Sequence, residues 1–323
     1  MPKTPCAWYL ICTPLLSLMI PILASLPSSA EMTDLGNGFK DHGPLSRVAR
    51  SRGMVCTEDG EGDPVVLVWL FDHRYAYALG VINAETGEME EVPRPIAKDC
   101  PFASLLSSRG RYYTYFGGHF MEFDPKKREF TAVEPGPYRA AMAMTEDDDG
   151  LIWAALHPDC HVLSYDPDTA ETRNYGPVYE HSSSMYPRYM AADDAGWVYV
   201  AQGLAAGQII MLNAESGEHR PAVPPGELSP GGKYDFGVYR YVNGRVYGYA
   251  PDSDGEVKQW YELYKGQATK IEGEPDIERR EFITGGQGLS HRQLPNGERV
   301  KKLDLINGKL IVKNPETNET REM

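Results

Sequence analysis

His119 lies five residues before Asp124, His161 five before Asp166, and Gln208 five before Asn213. Equal offsets from an acidic or amide residue point to equivalent places in a repeated unit, so the three side chains should face the same way, with His157 close to His161. Imidazoles gathered beside one opening could bind a divalent metal or act as acid and base near neutral pH. His119, His157, His161 and His181 are therefore the candidates for catalysis, and no metal-ligand set is assigned among them. Solvated turn residues, each one unit's width from the next, would satisfy the same spacing.

A second group is rich in tyrosine and arginine: Tyr138, Arg139, Tyr179, Tyr186, Arg188 and Tyr234, with Gln208 at the same end of its unit. Tyrosine faces stack on sugar rings, and a guanidinium holds carboxylate or sulfate oxygens through two parallel hydrogen bonds. A groove for an acidic saccharide needs both. The competing role for these residues is packing between units and pairing with the chain's own carboxylates. The acidic turns at 147–149, 193–194 and 252–255 lack the alternating loop and distal glutamate of a calcium site, and read as hairpin turns. The chain carries no glycine-rich phosphate loop, no paired CxxC motif and no nucleophile elbow.

The elements that must position these residues repeat. An apolar strand ending in Asn or Asp and followed by a short polar turn recurs at Asn83, Asp124, Asp166, Asn213 and Asn314, with a degenerate copy at residues 260–264 before Lys265-Gly266. The first three steps are 41, 42 and 47 residues. The terminal side chain can accept hydrogen bonds from turn amides two residues on, which explains the residue type. A polar turn ending in glycine precedes an aromatic strand at Gly110, Gly150, Gly196 and Gly244, stepping by 40, 46 and 48. Two independent marks thus keep one period. Four short strands per unit with no amphipathic helix between them describe the blades of a β-propeller. A parallel β-helix would repeat over fewer residues and lack the hairpin turns. The expectation is an all-β propeller of four-stranded antiparallel blades, six visible and six or seven in the ring, starting near residues 65, 101, 139, 187, 235 and 281.

The runs Asp147-Asp148-Asp149-Gly150-Leu151-Ile152-Trp153, Tyr165-Asp166-Pro167-Asp168-Thr169 and Asp193-Asp194-Ala195-Gly196-Trp197-Val198-Tyr199 resemble the repeats of a propeller group. That group includes the virginiamycin B lyase type, the gluconolactonase-like type and the sensor propellers of two-component regulators. The similarity spans roughly residues 65–270 and implies the fold, because the matching residues shape turns and core. The lactonases' metal-binding carboxylates and the lyase's catalytic histidine motif have no counterpart here.

Residues 1–30 carry one charge, Lys3, then an apolar stretch broken by Pro14 and Pro21 and small residues before Glu31. This is the layout of a secretory signal peptide cleaved after Ala30. Its removal leaves 31 basic and 46 acidic residues, a net charge of about −15 that repels polyanions in general. Nucleic acid is not an expected partner, nor is a membrane beyond the leader. Residues 31–64 read as an N-terminal segment whose residues 54–57 could supply a ring-closing strand, and 65–323 as the propeller, which ends inside an outer strand and could be one piece of a larger chain. Of the three remaining cysteines, Cys56 and Cys100 could form a staple, and three separate thiols with Cys160 fit equally well. The resulting expectation is a secreted or periplasmic propeller that binds a saccharide or protein ligand on its Tyr/Arg face. The alternatives are a lyase- or lactonase-type enzyme acting on a sugar acid or polysaccharide, and a sensor domain.

Overall fold

The computed structural model describes residues 33–41, 48 and 50–323, except 73–74, 97–98, 181–184, 204–206, 225–226, 228–235, 252–257 and 287–289. The proposed leader, His181, Tyr234 and the turn at 252–255 lie outside the described residues. The chain divides into two units, 1–45 and 46–323, the first described only by the hairpin β1 (Thr33–Gly36) and β2 (Phe39–Asp41).

The second unit is all-β among its described residues. Its first sheet is β3 (Arg50–Glu58), β4 (Pro64–Phe71), β5 (Ala76–Asn83) and β6 (Met89–Pro93). The second is β7 (Ala103–Leu106), β8 (Tyr112–Phe116), β9 (His119–Asp124) and β10 (Glu129–Pro135). The third is β11 (Ala140–Glu146), β12 (Ile152–His157), β13 (His161–Asp166) and β14 (Glu171–Pro177). The fourth is β15 (Tyr186–Ala192), β16 (Trp197–Gly203), β17 (Gln208–Asn213) and β18 (His219–Pro221). The fifth is β19 (Gly237–Arg240), β20 (Val246–Pro251), β21 (Lys258–Tyr264) and β22 (Gln267–Ile271). After the short β23 (Ile283–Gly286) comes the sixth sheet, β24 (Arg299–Asp304), β25 (Lys309–Lys313) and β26 (Thr320–Glu322). Each is an antiparallel meander in chain order, the blade of a β-propeller.

The turns show why the repeat recurs. Asn83, Asp124, Asp166, Asn213 and Asn314 each accept a hydrogen bond at Oδ1 from the amide two residues on, at 2.8 to 3.0 Å. At the other hairpin, the amides of Asp59, Ser107, Asp147, Asp193, Tyr241 and Leu294 each bond the carbonyl four residues on. That sixth copy identifies residues 290–294 as the reduced first strand of the sixth sheet, bridged to β24 through Gln293 and Arg299. The sixth blade therefore starts near 290 rather than 281, and the first starts at Arg50 rather than 65. Residues 54–57 lie within β3, which also exchanges backbone bonds with His291: His291 N to Met54 O at 3.0 Å and Cys56 N to His291 O at 3.2 Å. Cys56, Cys100 and Cys160 are separate thiols, so the staple is not formed.

Successive residues of a strand point to opposite faces, and a second strand between two neighbours must hide both. Hence β4 reads Pro-Val-Val-Leu-Val-Trp-Leu-Phe and is buried throughout. Leu67 and Trp69 face the second sheet, where Trp69 meets Phe116 edge-on at 5.1 Å. Val66 and Val68 face Leu310 and Val312 of the sixth sheet. Shared apolar clusters likewise join the second sheet to the third, the third to the fourth and the fourth to the fifth. Each large side chain so buried contributes about 1.5–3 kcal/mol. Among the described residues no such cluster joins the fifth sheet to the sixth. The outer aromatic face of the fifth, Tyr241, Tyr247, Tyr249 and Trp260, packs on itself with Tyr239 and Ile271.

A buried carboxylate ties the fourth sheet to the fifth. Asp193, 3% exposed, accepts from Ala195 and Trp197 amides at Oδ1 and from the Tyr199 hydroxyl and the Lys265 amide at Oδ2, all at 2.8 to 2.9 Å. Asp193→Ala strands these donors and should cost about 3 kcal/mol in urea unfolding, whereas Asn213→Ala, at an exposed cap, should cost under about 1.5 kcal/mol. Equal small losses would contradict the assigned role.

Candidate functional site

The first strands face the axis, and three of them, β3, β11 and β15, bulge, the latter two into the same cavity. Between β11 and β12 the register skips Met142, and between β15 and β16 it skips Arg188. A bulge re-aims the extra residue, and both side chains line an axial cavity of about 370 Å³. Its walls are the first strands of the second to fifth sheets and residues 279–284. The last of these belong to a segment that crosses from the fifth sheet and, as β23, pairs antiparallel with β7, Ile283 opposite Leu106 and Gly286 opposite Ala103. The second sheet thereby gains a fifth strand on its axial edge.

The cavity is aromatic and cationic. Tyr189 and Tyr239 lie with ring centroids 5.4 Å apart, and the Arg279 guanidinium sits 3.8 Å over the Tyr239 ring. Arg279 also donates from Nε to Glu274 at 2.8 Å. Arg240, 5% exposed, donates to Ala192 O at 2.7 Å and to Asp148 at 2.5 Å, and Arg280 pairs with the same Asp148. The buried Nε of Arg240 has no hydrogen-bond partner. Arg188 lines the cavity, is exposed within it, and has no carboxylate partner among the described residues. Glu281 is the one carboxylate in the lining among the described residues. The arrangement offers stacking faces and an uncompensated guanidinium in a volume suited to a small ligand, which is binding chemistry.

Several of the residues singled out from sequence meet in two small groups outside the cavity lining. Arg139 grips Asp159 with two nitrogens, Nε at 3.1 Å and Nη2 at 2.8 Å, and His161 Nδ1 stands 2.9 Å from the same carboxylate. Burial pushes the Asp159 carboxyl up, but hydrogen bonds from Arg139 and His161 outweigh it and bring the group down from 3.8 to about 2. His157 packs against Tyr186 with ring centroids 4.4 Å apart, and burial lowers its pKa. His119 begins β9 as His161 begins β13 and Gln208 begins β17, as the offsets require. The three are not used alike. His119 Nδ1 stands 2.9 Å from Gly117 O in its own sheet, and buried Gln208 bonds the backbone of Ile209 and Val223. Tyr138 is 69% exposed, and Tyr179 packs into the seam of the third and fourth sheets. Among the described residues no three His, Cys, Asp or Glu side chains gather as a metal-ligand set.

Met142, Tyr189, Tyr239, Arg240, Arg279 and Arg280 were not among the expected site residues, yet the sequence carries a signal for some of them. Tyr138-Arg139, Arg188-Tyr189 and Tyr239-Arg240 are adjacent Tyr/Arg pairs at or next to the first strands of three consecutive repeats.

No family model matches the chain, and no curated protein does. Among solved structures, it is similar to a catalytically inactive virginiamycin B lyase from Staphylococcus aureus bound to quinupristin, at 15% identity over 84% of each chain with a TM-score of 0.46. A streptogramin B lyase structure matches at 15% identity over 84% of this chain and 82% of that one, TM-score 0.45. A puromycin hydrolase mutant matches at 16% over 86% of this chain and 45% of its own, TM-score 0.41.

The Asp159 carboxylate supplies a pH test. A depressed folded pKa means its stabilisation is present above the unfolded value near 3.8 and is lost as pH falls through about 2. Asp159→Asn should lower stability at neutral pH and flatten the decline between pH 4 and 2, read from urea midpoints. A decline as steep as in the parent protein would show that the Arg139–Asp159–His161 cluster is not coupled to folding.

Proposed function

We propose that this chain is an exported β-propeller that binds an acidic saccharide in its axial cavity, without chemistry of its own. The observation that carries the reading is Arg188, a bulge residue placed in the cavity with no carboxylate partner among the described residues. Tyr189 and Tyr239 supply faces on which a sugar ring stacks, and the guanidinium supplies the fork for its carboxylate or sulfate. The leader layout of residues 1–30 supports export. Because the chain is strongly acidic overall, the attraction is local to the cavity and selects a short ligand over a long polyanion.

Calorimetric titration with uronic-acid oligosaccharides should show saturable binding. Arg188→Gln should weaken it about tenfold or more, and Arg188→Lys should restore only part, since an ammonium lacks the two-pronged geometry. Binding that is absent, or indifferent to Arg188→Gln, rejects the reading.

The second reading, a lyase or lactonase, is favoured by one observation: His161 Nδ1 stands 2.9 Å from the Asp159 carboxylate, the neighbour an imidazole acting as a base would need. It requires turnover of uronic-acid polymers that His161→Ala abolishes while Arg188→Gln mainly raises KM. Unaltered polymer after prolonged incubation excludes it.

A further inference from the structure

The sixth sheet carries a second basic site, separate from the axial cavity. One of its faces, bearing Val300 and Val312, packs on the first sheet. Adjacent residues in a strand point the other way, so Arg299 and Lys313 share the opposite face. They are also directly opposite one another in the ladder, a like-charge pair that costs stability when nothing lies between them. Lys301 is the extra residue of a bulge in β24, and the carbonyl of that bulge accepts a hydrogen bond from Arg292 at 3.3 Å. Arg292, Arg299, Lys301 and Lys313, with Ser290, line a cleft of about 600 Å³ that has no carboxylate in its lining among the described residues. Neighbouring cations of the same sheet are paired, Lys302 with Asp304, Lys309 with Glu322 and Arg321 with Glu298. Among the described residues these four have no such partner.

We infer that this cleft binds a compact anion bearing two or more phosphate or sulfate groups. Four uncompensated cations exceed the charge of one carboxylate or one inorganic phosphate, and the volume exceeds both. The cations come from three strands, the reduced first strand, β24 and β25. A phosphate or sulfate group offers oxygens in three directions to match them, where a carboxylate offers two in one plane. A long polyanion is disfavoured by the acidic remainder of the chain, while a compact one lies within a Debye length, about 8 Å, of the four cations. The bound anion would also relieve the repulsion between Arg299 and Lys313, so binding and stability are linked.

The test uses the full protein with tripolyphosphate and sucrose octasulfate as separate probes, followed by calorimetry and thermal unfolding. One or both should bind saturably at one site and raise the Tm. A response to tripolyphosphate alone assigns phosphate chemistry, to the octasulfate alone sulfate chemistry, and to both the shared oxyanion chemistry. Arg299→Gln should raise the Tm of the free protein, by removing the like-charge pair, while weakening probe binding about tenfold or more. Lys313→Gln should do the same. A residue with a merely structural role would not move the two readouts in opposite directions. Lys309→Gln, which removes the same charge outside the cleft, should leave probe affinity within about twofold. Failure of both probes to bind, or equal affinity in Arg299→Gln and the parent, overturns the inference.

Discussion

A twisted sheet with two apolar faces has to keep water off both, and in this chain the first four sheets do so by leaning on a neighbour at each face. Trp69 shows the arrangement: it leaves the first sheet to meet Phe116 and Phe130 of the second, while Val68 beside it on the strand turns to the sixth. The burial that stabilises one blade is thus supplied by the next two. The second strands are apolar without alternation for this reason, and the fourth strands, at the rim, are largely exposed. The first strands are released from seam duty on their axial side, which frees them to carry arginine and tyrosine.

That division of labour concentrates positive charge on the axis of an acidic molecule. The guanidiniums lining the cavity are not isolated ions in a dry interior. Arg240 and Arg280 share Asp148, and Arg279 is held by Glu274 and by the face of Tyr239. Such sharing keeps several cations close together without leaving each fully uncompensated, and gives Arg188, which has no carboxylate partner among the described residues, a rigid surround. The bulge that presents it is a backbone feature, so the position does not depend on a long side chain finding its own way.

The repeat was legible because its marks are side chains that serve the backbone. An Asn or Asp that accepts amides two residues on leaves the same trace at Asn83, Asp124, Asp166, Asn213 and Asn314. First strands leave no such trace. Residues 290–294 form only bridges, and the turn after β3, Asp59 to Gly62, lacks the aromatic residue that closely follows the glycine turn at Gly110, Gly150, Gly196 and Gly244. Residue type and place point to Arg188, Arg139, His157, His161 and Tyr186; the structure puts Arg188 in the cavity lining, Arg139 and His161 on Asp159, and His157 against Tyr186. The equivalence of His119, His161 and Gln208 held as register, yet register does not say what a side chain bonds: Gln208 is occupied with its own backbone. Met142 and the arginines of residues 279–280 escaped notice because bulges and the pairing of β23 with β7 join residues with no common spacing.

The joint between the fifth and sixth sheets differs in kind from the other five. Segment 278–280 is laced to the fifth sheet by backbone bonds at Arg240 and Val242 and by the grip of Arg279 on Tyr239, with no apolar cluster shared across the joint among the described residues. Parting it would expose little oily surface, and separating any other pair of sheets would expose a great deal. Opening is therefore expected to cost least there, as in a clasped bracelet whose links are soldered everywhere except at the catch. Among the seams of the ring, the bond from the Arg280 amide to the Arg240 carbonyl is one that parting of this joint would hand to solvent.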